Sequence, residues 1–324
     1  YSYDYERVLG DENIIIIRDT VNRIFNDMTD IERKKIYDGE DDARKELWDR
    51  LIGITSLDLP GVREERTFRH AAIDEWNKLR EFETIYTNSL YAAINESLIK
   101  MTNEDILNVN ENGILNNSMI IRLIEEKLFE NTDNMEYTNF INRKNPDSQN
   151  LKITHIWILL SSLFAGIQIR IDRLSENDKN VIDEEGEDSY KLQTIGSEIV
   201  GNTLFRNQNN EKYTKFIDIT NNLEKIYYDI WKELRELEKS KLILKNTVQE
   251  FYAVMDETEK KMIDDNGFDN EDVKVMFWDE LNTITIEQGL QVSSSDEPLR
   301  SIAIDEWKKL RAKELLLKII RQVI

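Results

Sequence analysis

The chain has 324 residues, 33% of them charged and 40% hydrophobic, a balance that belongs to a folded, helix-rich protein and excludes an intrinsically disordered one. Its formal net charge of −21 argues against a double-stranded nucleic-acid partner, whose phosphates would be repelled over the whole surface. It contains no cysteine, which excludes a disulfide framework and thiolate metal sites, and only three prolines, which favours helix.

The first predicted element is a helix with the apolar stripe Ile14 to Ile17, ending at Met28; Tyr5 stands 23 residues before that landmark, in the slot a tryptophan fills elsewhere. Thr29 lies three residues ahead of Glu32, the capping-box spacing in which side chains satisfy the orphan N–H groups of a helix start. A short helix follows, then the acidic loop Asp38-Gly39-Glu40-Asp41-Asp42. A third helix covers Asp42 to Leu51 with Leu47 and Trp48 turned to the core, and a fourth carries Trp76. No glycine or proline interrupts Trp76 to Met101, so the fourth helix is expected to run straight into the next unit.

The pattern then recurs. Met101 precedes Thr102 and Asp105, Leu174 precedes Ser175 and Asp178, and Met255 precedes Asp256 and Glu259, with landmarks 73, 73 and 81 residues apart. A second ladder, Trp76, Trp157, Trp231 and Trp307, has spacings of 81, 74 and 76. Ala303 to Arg311 repeats Ala72 to Arg80 with one change, Tyr228 to Arg235 is a looser copy, and Thr154 to Trp157 a degenerate one. Two ladders with one period are the signature of internal repeats. The predicted architecture is all-α: a tandem array of four ~75-residue four-helix repeats joined by long shared helices, over 1–76, 77–157, 158–231 and 232–324.

Within that frame Trp278 matches Trp48, while Leu123 and Thr194 fall in the same slot of the inner units. The longest connection, Asp188 to Trp231, contains Asn207-Gln208-Asn209-Asn210 and is a candidate binding excursion. Leu315 to Ile324 reads as the opening of another first helix, which either continues a longer array or packs back as a cap.

Candidate chemistry is sparse. Asn108, Asn110, Asn112 and Gly113 match the first ligand positions of a calcium loop, but position 12 is Met119, which cannot coordinate. The ladder tryptophans sit at core spacing and read as apolar wedges. Asp74-Glu75 and Asp305-Glu306 read as a charged solvent face, because neighbours on a helix point ~100° apart. His70 and His155 lack a second histidine at metal-binding spacing, and no phosphate loop, G-x-S-x-G or H-E-x-x-H occurs. No catalytic, cofactor-binding or metal-binding residue is therefore assigned, and no cofactor. The apolar run Ile156 to Ile167 falls short of the roughly 18–20 residues of a membrane span and is expected to be a buried helix. The sequons Asn95-Glu96-Ser97 and Asn116-Asn117-Ser118, with Tyr1 at the head of the chain, raise the expectation of secretion, with a soluble intracellular protein as the alternative.

Two families share this organisation. Four helical repeats in about 320 residues resemble the annexin core, which would imply calcium and acidic-membrane binding; the annexin G-x-G-T loop is missing, since the loops read Gly39-Glu40-Asp41-Asp42 and Gly186-Glu187-Asp188. The construction is more similar to the Leu-Trp-Tyr repeat effectors that oomycete plant parasites secrete, in which one long helix ends a module and begins the next. Leu47-Trp48, Trp76, Trp231 and Trp307 play the analogous parts here. That resemblance implies a non-enzymatic secreted scaffold whose partner is another protein, such as a host protein. A calcium- or lipid-binding module is the alternative.

Overall fold

A computed structural model describes residues 10–58, 65–130, 132–207, 213, 223–290 and 297–323. Among the described residues the chain is all-helical, with no strand. It folds as two compact units. Unit 1 draws on Tyr1–Ser97, Asn108–Phe164 and Thr194–Leu223, and unit 2 on Leu98–Leu107, Ala165–Gln193 and Glu224–Ile324. Tyr5 and Gln208 to Asn210, singled out in the sequence, lie outside the described residues.

The helices are α1 (Asp11–Asp27), α2 (Asp30–Asp38), α3 (Asp41–Asp58), α4 (Glu65–Lys100), α5 (Asn103–Asn112), α6 (Ser118–Leu128) and α7 (Met135–Arg143). They continue as α8 (Pro146–Ile171), α9 (Glu176–Glu185), α10 (Tyr190–Arg206), α11 (Leu223–Val254) and α12 (Glu257–Asn266). The last two are α13, which runs from Glu271–Val273 through a π-helical stretch, Lys274–Asp279, into Glu280–Glu287, and α14 (Glu297–Val323).

All four sequence-predicted caps form. Thr29 and Glu32 make a reciprocal capping box at the start of α2, and Asp256 and Glu259 make another at α12. Thr102 Oγ1 accepts from the Asp105 N–H at 3.2 Å, and Ser175 Oγ from the Asp178 N–H at 3.2 Å. At its far end α2 stops at Gly39, whose left-handed φ of 89° would strain a residue with a Cβ. The long helices pass each ladder tryptophan unbroken: 36 residues in α4, 26 in α8, 32 in α11 and 27 in α14.

In unit 1, α1 and α2 both pack on α3. Ile17, Val21, Ile24 and Phe25 share one face of α1 and are buried, the 3.6-residue spacing that a core-facing helix requires. Phe25 meets Trp76 edge-on at 4.9 Å between centroids. The buried residues Ile156, Trp157, Leu159, Leu160 and Leu163 make α8 a core helix through the apolar run. By length and composition α8 is also the one described helix able to cross a membrane, with half of its apolar window buried inside the fold. In unit 2 the core gathers Leu244, Val248 and Tyr252 of α11 with Phe277, Trp278 and Leu281 of α13, closed by Trp307 of α14. Trp307 touches Tyr252 at 4.9 Å and Phe277 at 5.4 Å, both edge-on.

Several local expectations are corrected. Between α6 and α8 the chain makes an additional helix, α7, capped by Asn134, whose Oδ1 accepts from the Glu136 and Tyr137 N–H groups. Asn108 to Asn112 belong to α5 rather than to a loop. Thr194 is exposed and Ile195 beside it takes the buried place. On the tryptophan helices the fully buried neighbours are Ala72 and Ala303, with Ile73 and Ile304 only half-buried. The tail of α14 does not pack back: Leu315, Leu316, Leu317, Ile319 and Ile320 are 43–58% exposed.

Candidate functional site

The chain's charged side chains converge at the helical corners, and the ladder tryptophans mark where. All four are buried. Three donate their indole N–H to the short helix that follows a cap: Trp76 to the Arg33 carbonyl at 3.4 Å, Trp157 to Asn110 Oδ1 at 2.8 Å and Trp231 to Asp183 Oδ1 at 2.8 Å. A buried indole finds a partner at its polar edge while its ring fills the core.

Unit 2 contains two charged corners of one design. Arg235, one turn beyond Trp231, donates Nε to Asp183 at 3.3 Å, Nη2 to Glu176 at 2.6 Å and Nη1 to Glu238. Arg311, one turn beyond Trp307, donates Nε to Asp264 at 2.6 Å, Nη2 to Glu257 at 2.8 Å and Nη1 to Glu314 at 3.4 Å. Lys179 and Lys239 complete the first corner, on Glu238 and Asp183. Lys260 and Lys318 complete the second, on Glu314 and Glu257. Each corner thus sets three cations against three carboxylates. Hydrogen bonds from Arg311 and Lys318 hold the Glu257 carboxyl down at about 2, well below the usual range. Every acid is engaged by a cation, so these corners fasten helices together.

Unit 1 carries a different cluster. Glu83 of α4 is 3% exposed and binds Lys144 through one oxygen and Lys152 through the other at 2.6 Å, with Arg33 Nη1 3.7 Å away. Three cations on one carboxylate, the two lysines foremost, hold the Glu83 carboxyl well below its usual range, although burial alone would raise it. Burial pushes the Lys144 ammonium down, with Glu83 opposing. Both ammonium groups also lie over the Tyr86 ring, at 5.3 and 5.6 Å from its centroid. Sequence reasoning missed this cluster because Lys144 and Lys152 stand 61 and 69 residues from Glu83 and one follows the missed helix α7. A signal was present: Tyr137, Phe140 and Ile141 have helical spacing behind a capping asparagine.

The residues weighed for calcium do not converge. On α5, Asn112 Nδ2 donates to the Asn108 carbonyl at 3.0 Å, and Asn110 is taken up by Trp157. Among the described residues no group of three or more His, Cys, Asp or Glu is placed to hold a metal ion. His155 is buried edge-on against Tyr213 at 5.1 Å, while His70 is exposed. Asp74 and Asp305 face solvent as expected, but Glu306 is buried and accepts from Gln249 at 2.7 Å. The first sequon lies inside α4, with Ser97 buried; the second sits at an exposed turn, where Asn117 caps α6.

No family model, curated protein or solved structure matches this chain.

One surface stands out from the rest. The side chains of Leu315, Leu316, Leu317, Ile319 and Ile320 are all exposed along one stretch of α14, spread around the helix.

Proposed function

We propose that the chain is a tandem array of four helical modules, bounded at 76, 157 and 231, and that it works as a non-enzymatic secreted scaffold binding another protein. The twin charged corner carries this reading. Arg235 and Arg311 stand at one offset from their tryptophans, and their acids stand two and nine residues after Leu174 and Met255. Two clusters that reach the same bonding through the same nitrogens at the same offsets support duplication of a module. Repeat arrays use extended surfaces for partners, and the exposed leucines and isoleucines of α14 supply apolar side chains for such contact. The net charge of −21 favours a partner with a basic rim.

The test uses the full immobilised chain beside a Leu316→Glu, Ile319→Glu double variant. A protein from a host extract that the parent retains, the variant releases and added salt weakens is the expected result. Retention indifferent to both changes removes the α14 face and the charge from the account. Sedimentation with acidic liposomes in calcium but not in chelator would instead select the calcium- and membrane-binding alternative.

A further inference from the structure

The interior of unit 1 holds two ammonium groups against one carboxylate. Glu83 is the one hydrogen-bond acceptor that Lys144 and Lys152 each have among the described residues. Both lysine side chains are enclosed, at 13% and 5% exposure. In unit 2 the two corresponding corners close at equal charge, and this cluster does not. An uncompensated buried charge is costly, and proteins answer it with a counter-ion or by shedding the proton. Tyr86, whose ring lies under both ammonium groups, has a hydroxyl that is itself buried with no hydrogen-bond partner. Three donors of one neighbourhood, two cationic and one neutral, therefore lack a full set of acceptors.

We propose that Lys144, Lys152 and Tyr86 bind a monovalent, halide-sized anion beside Glu83. One negative charge is what the lysine pair still requires after Glu83, and with Arg33 as a third cation 3.7 Å from Glu83 a small anion does not overshoot the cluster. The enclosure of all four side chains favours a single ion such as chloride over an organic acid. The downward push of burial on Lys144 accords with an ammonium whose charge Glu83 alone does not balance.

Crystals of the full chain grown in sodium bromide test this directly. An anomalous peak within hydrogen-bond distance of Lys144 Nζ, Lys152 Nζ and Tyr86 Oη is expected, absent in Lys152→Met. Water, or nothing, at that place overturns the proposal. Should Lys152→Met not fold, solution measurements decide. The parent's unfolding midpoint should rise saturably in sodium chloride relative to sodium gluconate at equal ionic strength. Tyr86→Phe, which keeps the ring, should shrink that rise; identical midpoints in the two salts for the parent refute binding.

Discussion

Replacing Trp307 with alanine tests the core of unit 2. The indole is almost wholly buried and meets three rings, Tyr252 at 4.9 Å, Phe277 at 5.4 Å and Phe268 at 6.2 Å. A tryptophan buries up to about 250 Å², and removing all but its Cβ returns roughly two thirds of that area to solvent or void, worth about 4 kcal/mol at ~25 cal/mol per Å². The lost edge-to-face contacts add about 0.5–1.5 kcal/mol each, and partial collapse of the cavity subtracts, so the expected loss is ~3–5 kcal/mol. Trp48, half-buried against Phe68 at 5.5 Å and under Arg69 at 4.4 Å, is the control, and Trp48→Ala should cost about 1–2 kcal/mol. Urea unfolding followed by far-ultraviolet circular dichroism measures both. A Trp307→Ala loss under about 1 kcal/mol, or no larger than that of Trp48→Ala, would refute the closing role given to this residue.

Three other substitutions probe the charged corners, a helix cap and the Glu83 cluster. Glu257, held at about 2 by Arg311 and Lys318, has a folded value below its unfolded one. It stabilises the fold above the ordinary glutamate value of ~4.3 and loses that contribution as pH falls toward 2. Stability against pH should therefore slope downward across that window in the parent and less steeply in Glu257→Gln; parallel curves contradict the assignment. Asp256→Ala removes an N-cap that accepts from both the Thr258 and Glu259 N–H groups and should cost ~1 kcal/mol by chemical denaturation, with an unchanged midpoint counting against the cap. Glu83→Gln leaves two buried ammonium groups without their shared carboxylate and should cost ~3–5 kcal/mol in unit 1, while exposed Glu126→Gln should cost almost nothing.

Local grammar was legible where it rests on short spacings. A cap three residues ahead of an acid, a tryptophan on an apolar stripe and a stretch without glycine or proline are written within a few turns, and the corners, buried indoles and long helices match them. The charged corners were half visible. Arg80, Arg235 and Arg311 recur in the tryptophan words, but Asp183 and Asp264, the acids that Arg235 and Arg311 bind, lie 52 and 47 residues away and only folding pairs them. Helix α7 was lost because its nine residues sit in an Asn-rich stretch that reads as connection. With it went the Glu83 cluster, whose members are joined by topology rather than by spacing. Glu306 misled for a related reason: a charge beside a core tryptophan looks solvated until Gln249 of another helix is found against it.

The π-helical stretch in α13 bears on how this region tolerates changes in length. Neighbouring residues on an ordinary helix point ~100° apart, yet Phe277 and Trp278 both turn inward, their rings perpendicular at 4.9 Å. The widened turns accommodate one extra residue without rotating what comes after. Deleting solvent-facing Val275 should convert the stretch to regular helix and turn one of the two adjacent rings toward solvent while Leu281 stays on the core face, so the in-frame loss of one residue is absorbed here, where in an ordinary helix it would rotate everything that follows.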